Sequence, residues 1–144
     1  MGRIKLEMPQ EFFYTTEIRV RITDINYGNH VGNDAFVSIL HDARMQWLKE
    51  HGFTELDING TGLIMSDLAI EFRQESFYGD TIQVRLGMAD AGRVNFDLYY
   101  ELSVKRNGET VLLANAKTAM VAYDYAAKKV AALPEALKQM LRLS

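Results

Sequence analysis

The hydrophobic positions change period early in the chain. From Phe12 to Thr23, Tyr14, Thr16, Ile18, Val20 and Ile22 alternate with Thr15, Glu17, Arg19 and Arg21. Period two with β-branched residues predicts a strand. A polar loop follows, Asp24-Ile25-Asn26-Tyr27-Gly28-Asn29-His30-Val31-Gly32. From Asn33 to Glu50 the period is helical. Phe36, Ile39, Leu40, Ala43, Trp47 and Leu48 mark one face, and Val37 widens it. So broad a stripe predicts a helix covered on much of its circumference. Asn33 reads as its N-cap, because an asparagine oxygen can take an orphaned backbone N–H. Asp34 falls in the first turn, where the helix dipole favours negative charge. Gly52 can close the helix in the left-handed conformation.

Strand patterns dominate the rest. Leu63–Ser76 is mixed and ends at Tyr78-Gly79-Asp80. Thr81–Met88 alternates cleanly, and Val94–Val104 places six apolar side chains from Val94 to Val104 on one face. Asn107-Gly108 then predicts a type I′ hairpin turn. Thr110–Tyr123 is apolar on both faces, which places it near the sheet centre. Pro134 opens a short C-terminal helix. One long helix with a run of hairpin-connected strands is an α+β layout. A single helix covers one face of such a sheet, so the other face or an edge needs a partner chain. A homodimer is expected, with a tetramer possible.

Composition narrows the class. The chain has 144 residues, reads as one domain over 1–144, and contains no linker between Pro9 and Pro134. Its formal net charge is −3, so no basic field exists to hold nucleic acid. No run of about 18 apolar residues could span a membrane. Cysteine is absent, which removes disulfides, thiolate nucleophiles and thiolate metal sites, and suits the cytoplasm. No serine lies in Gly-x-Ser-x-Gly, so a nucleophile elbow is missing. His41 and His51 lack the spacing of a metal site, which needs three or four convergent ligands. His51 suits a helix C-terminus.

The loop at 24–32 concentrates a carboxylate, two amides and an imidazole at a helix N-terminus. Such a terminus carries free N–H groups and partial positive charge. It can hold an anion, or a carbonyl oxygen about to become one. Gly28 and Gly32 let the backbone approach a ligand. A carboxylate beside that oxyanion site could activate water or attack the carbonyl itself. The same residues would also serve a plain capped connection.

Arg21–Gly52 resembles the 4-hydroxybenzoyl-CoA thioesterase-like branch of the hotdog superfamily. The residues that carry the likeness are His30-Val31-Gly32-Asn33-Asp34-Ala35-Phe36, Ala43-Arg44, Trp47-Leu48 and Gly52. Leu133-Pro134-Glu135 and the strand run fit as well. The resemblance implies a hotdog fold, a curled antiparallel sheet wrapped around one long central helix, with a short C-terminal helix. It implies hydrolysis of an acyl-CoA or acyl carrier protein thioester, with no metal and no organic cofactor. The family's usual catalytic aspartate, aligned on His30, falls on Asn26, and asparagine cannot act as a base. Aligned on Asp24, the Asp-x-Asn of plant-type acyl-ACP thioesterases matches, with the histidine displaced by two residues. The expected site therefore has Asp24 activating water, Asn26 orienting the thioester or the water, and His30 ordering the loop. N–H groups near Gly32 and Asn33 would form the oxyanion hole. Phe36, Leu40 and Met65 are candidate contacts for the acyl tail, though helical spacing equally suits core packing. Two other functions fit the same residues: a non-catalytic acyl-CoA or small-ligand binder, and an acyl-thioester hydratase or dehydratase.

Overall fold

The computed structural model describes residues 3–142. The strands are β1 (Tyr14–Arg19), β2 (Gly62–Phe72), β3 (Thr81–Ala89), β4 (Asn95–Arg106), β5 (Glu109–Asp124) and β6 (Lys129–Val130). The helices are α1 (Asn33–Glu50) and α2 (Glu135–Met140). The strands form one antiparallel sheet in the order β1-β3-β4-β5-β2, with β6 added to the end of β5. β5 is an interior strand beside the edge strand β2, while β4 is central. This is the expected α+β hotdog architecture.

Alternation fixes which face of each strand meets α1. Ile82, Val84 and Leu86 of β3 are buried with Phe96, Leu98, Tyr100 and Leu102 of β4. Against them lie Phe36, Ile39, Leu40, Ala43, Trp47 and Leu48, the stripe of α1. Each large apolar side chain buried this way contributes roughly 1.5–3 kcal/mol. Arg44 is the charged intruder on that stripe. Its Nη1 donates to the Tyr100 hydroxyl at 3.1 Å, and its Nε pairs with Glu55 at 3.3 Å. Tyr100 in turn shares a 2.6 Å hydrogen bond with Thr118. Among the described residues, no helix is long and apolar enough to cross a membrane.

Several boundaries differ from expectation. β1 stops at Arg19 because Ile22–Asp24 forms a 3-10 turn. Gly32, not Asn33, is the N-cap of α1, and Asn33 is its first helical residue. Gly52 does close the helix, with φ +79°. Asn107 and Gly108 have φ of 53° and 77°, the positive pair that a type I′ turn requires. β2 carries a bulge between Met65 and Asp67.

Candidate active site

The polar loop folds as a small hairpin on the mouth of α1. Ile25 pairs with Val31, and the Asn26 N–H donates to the His30 carbonyl at 2.9 Å. The turn closes locally. The Gly28 N–H donates to Asn26 Oδ1 at 2.8 Å, and the Asn29 N–H donates to the Asn26 carbonyl at 3.1 Å. Asn29 sits at φ 65°, a conformation that asparagine tolerates better than most residues. The hairpin is pinned to the turn between β2 and β3: the Val31 N–H donates to the Ser76 carbonyl at 2.8 Å, and His30 bridges Phe77.

Two glycines make room for polar side chains. A Cβ on Gly28 would lie 3.0 Å from His30 Nε2 and 3.3 Å from Asn26 Oδ1. A Cβ on Gly32 would lie 2.7 Å from Asp34 Oδ1 and 3.9 Å from Asn26 Nδ2. The Asn26 side chain therefore runs close to both glycines. The helix mouth beside them has no side-chain cap, because the N-cap is a glycine. The N–H groups of Asn33, Asp34 and Ala35 lie in the first turn, where no intrahelical acceptor exists.

A cavity of about 390 Å³ opens at this mouth, walled by His30, Asn33, Phe36, Phe72, Glu75, Phe77 and Arg106. Phe36 and Phe72 meet edge to face at 5.3 Å and form its apolar wall. His30 Nε2 is 3.7 Å from Glu75 Oε1. Arg106 lies across the Phe77 ring and donates to Asp80 Oδ2 at 2.8 Å. Burial works against ionisation of Asp80. The Phe77 N–H, the Arg106 guanidinium and the Ser76 hydroxyl outweigh it and hold that carboxyl below its ordinary range.

Asn26, His30, Gly32, Asn33 and Phe36 thus gather around one helix mouth. Of these, His30, Asn33 and Phe36 line the cavity, while Asn26 and Gly32 lie beside it and Asp24 is not on its wall. Asp24 is 7% exposed, and its Oδ2 accepts the Arg21 N–H at 2.8 Å and lies 3.5 Å from Arg21 Nε. Its carbonyl accepts the Gly32 N–H at 3.1 Å, so the residue ties the turn to the helix. Leu40 is buried in the core, and Met65 is 44% exposed on β2, both away from the cavity wall. Glu75 and Phe77 were not anticipated. They come from the turn between β2 and β3, distant in sequence from the loop.

Residues 20–141 match the family model described as the thioesterase-like superfamily. The chain belongs to that superfamily. By family it is a thioesterase. Among solved structures, a 1,4-dihydroxy-2-naphthoyl-CoA thioesterase from Synechocystis is 25% identical, with a TM-score of 0.79 over 90% of this chain and 95% of that one. The dynemicin thioesterase is 18% identical, with a TM-score of 0.80 over 90% of this chain and 94% of its own. A 4-hydroxybenzoyl-CoA thioesterase mutant bound to 4-hydroxybenzoyl-CoA is 16% identical, with a TM-score of 0.76 over 89% of this chain and 97% of its own. At 18% and 16% identity, the last two likenesses speak for the fold alone. No curated protein matches the thioesterase chain.

Proposed function

We propose that the protein hydrolyses an acyl-CoA or acyl carrier protein thioester to a free acid and a thiol, at the mouth of α1. The observation that carries this reading is the uncapped helix N-terminus beside Asn26, opening on a cavity with an apolar wall. A thioester carbonyl placed there meets the first-turn N–H groups and the Asn26 amide. These are donors for the oxygen that becomes negative as water adds to the acyl carbon. Asn26 Oδ1 is held by the Gly28 N–H, so the amide nitrogen is the end left to face substrate. His30 and the Phe36–Phe72 wall shape the space for the acyl group. A thiolate leaves readily, so donors and one base suffice.

The thioesterase is further proposed to work as a homo-oligomer in the cytoplasm, a compartment that a cysteine-free chain suits. The test is a panel of acyl-CoAs with aliphatic and aromatic acyl groups, read by release of free thiol. Release at kcat/KM above about 10⁴ M⁻¹s⁻¹ for at least one of them is expected, the lower end of the enzymatic range. A binder without chemistry is the second reading. Asn26, an amide where the resembled family usually has an aspartate, favours it. Saturable acyl-CoA binding without thiol release would establish the binder instead.

A further inference from the structure

We propose that Glu71 is a positioning residue for substrate binding: it clasps the N-terminal segment to the end of β2 and holds Arg73 at the rim of the cavity. The identity of the ligand, an acyl thioester, rests on the thioesterase reading above. Glu71 is a carboxylate that hydrolysis at the mouth of α1 does not use, yet it is only 6% exposed. Carboxylates are almost never buried without partners. Both of its oxygens are engaged. Oε1 accepts the Leu6 N–H at 3.2 Å, and Oε2 pairs with Arg73 Nη2 at 2.7 Å. The Leu6 N–H, with the Arg73 guanidinium, holds the carboxyl below its ordinary range against the opposing effect of burial.

Leu6 belongs to a strap that crosses the back of the sheet. Just before β1 begins, the Phe13 N–H donates to the Leu86 carbonyl at 2.8 Å. A Cβ on Gly87 would lie 2.7 Å from Pro9 Cγ and 2.9 Å from the Glu11 carbonyl oxygen, so the chain lies directly on β3 there. From β3 it passes β4 and β5 to reach Glu71 on β2. Arg3 Nη2 then donates to the Phe72 carbonyl at 2.6 Å. Phe72 is the last residue of β2 and half of the apolar wall. A strap that only covered the sheet could meet an apolar side chain at position 71, with no carboxylate to desolvate. Here one carboxylate oxygen goes to the strap and the other to a residue of the cavity wall.

Arg73 lines the cavity and also an adjoining hollow of about 250 Å³ walled by Arg3, Lys5 and Glu71. It stands where the two meet, on the way out of the cavity for a ligand longer than its acyl group. The carrier arm of a thioester extends a substrate in that way, and its carbonyl oxygens accept hydrogen bonds. Among the described residues, the Arg73 guanidinium has no ion-pair or hydrogen-bond partner other than Glu71. Arginine presents its donors as a rigid fork, so fixing one side aims the other. Glu71 takes the Nη2 side and leaves the rest of the fork to the substrate arm.

The experiment measures kcat and KM on the best acyl-CoA of the panel, and by calorimetry the Kd of its non-hydrolysable thioether analogue. It compares the wild type with Glu71→Gln, Glu71→Asp, Arg73→Ala and the Glu71→Gln, Arg73→Ala double variant, and thermal melts show which of them fold. Glu71→Gln is expected to raise KM and Kd about tenfold, the effect of one charged hydrogen bond to substrate lost from its place. The change in kcat is expected to be much smaller. Arg73→Ala is expected to do the same, and the double variant to bind no worse than Arg73→Ala alone. Glu71→Asp, which keeps the charge, is expected to retain more of the affinity than Glu71→Gln. A role in folding alone would lower the melting temperature and leave KM and Kd in place. A folded Glu71→Gln with wild-type KM and Kd overturns the proposal, and so does a double variant in which the two losses multiply. If Glu71→Gln does not fold, Arg73→Ala with a wild-type Kd overturns it alone. A wild type that binds the thioether and releases no thiol from acyl-CoA overturns only the hydrolase reading, because the Kd values still decide the role of Glu71.

Discussion

The Val31 N–H reaches the Ser76 carbonyl at 2.8 Å and, with the His30–Phe77 bridge beside it, joins the loop before the helix to the turn between β2 and β3. The site is therefore only as firm as that turn. Asp80 is what holds the turn. Its Oδ2 accepts from the Ser76 hydroxyl at 2.9 Å, from the Phe77 N–H at 2.9 Å and from Arg106 at 2.8 Å.

Asp80→Asn should accordingly destabilise the protein by about 1–3 kcal/mol, the cost typical of removing a charged partner from several hydrogen bonds. It should also raise KM, because Val31 and His30 lose their anchor. The pH dependence follows from the direction of the shift. A carboxyl held below its ordinary range stabilises the fold at pH above about 4, and that contribution is lost as pH falls through its folded value. Wild-type melting temperature should drop in that acid window, and the drop should be smaller in Asp80→Asn. Calorimetry from neutral pH down to pH 3 checks this. Equal slopes in the two proteins would refute it.

Asn26 has two duties that one substitution separates. Its Oδ1 holds the Gly28 N–H at 2.8 Å, and its amide nitrogen is free for substrate. Asn26→Asp keeps the acceptor and removes the donor, while Asn26→Ala removes both. Loss of one oxyanion donor costs about 10²–10³-fold in kcat. Both variants should show that loss, but only Asn26→Ala should also lose stability. Steady-state kinetics beside thermal melts decide it, and a kcat unchanged in both variants would exclude Asn26 from the reaction.

Tyr100 tests the polar cluster beneath α1. Its hydroxyl satisfies both Arg44 and Thr118, all in the interior. Tyr100→Phe leaves a buried guanidinium short of a partner and should cost about 1–3 kcal/mol. Burial raises the phenol above its ordinary range, although Arg44 opposes it. A raised acid keeps its contribution below pH of about 10 and loses it as pH climbs through the folded value. The wild type should therefore lose stability in strong alkali more steeply than Tyr100→Phe. Urea melts at pH 8 and pH 11 measure the difference. Equal losses would refute a raised Tyr100 phenol.

The periodic part of the fold was legible because burial imposes a period on each element. Phe36 to Leu48 announced a helix wrapped by a sheet, and Asn107-Gly108 announced its hairpin, since two positive φ values are cheap there. The two-residue β6 left no such trace: Lys129 and Val130 pair with Asp124 and Tyr123 only because the chain turns back after β5. The cap was misplaced by one residue, since Asn33 has the right side chain but Gly32 has the extended backbone. In the site, the loop and its amides were readable, and the ownership of each carboxylate was not. Whether Asp24 faces substrate or closes the 3-10 turn depends on the Arg21 N–H, a backbone donor that pattern reading does not register. Glu75 and Phe77 come from a turn whose distance to the loop only the sheet register sets.

The last prediction concerns the edge of the sheet. β2 pairs with β5 on one side only, and Met65 and Leu68 are exposed along it at 44% and 37%. A long edge strand with exposed apolar side chains invites another strand, and natural proteins blunt such edges with lysine. β2 has only Asp67 as a charge in its exposed middle, and Lys117 pairs with it at 3.0 Å. A second copy covering β2 would bury Met65 and Leu68 and saturate the open backbone groups. The wild type should then sediment as a dimer at micromolar concentration, with a tetramer possible. Leu68→Lys should shift it toward monomer. A surface change of this kind alters the stability of a lone subunit by no more than about 0.5 kcal/mol. Any larger fall in melting temperature would therefore report lost association and should depend on protein concentration. A wild type that sediments as a monomer across that range would leave β2 a bare edge and the expected dimer without support.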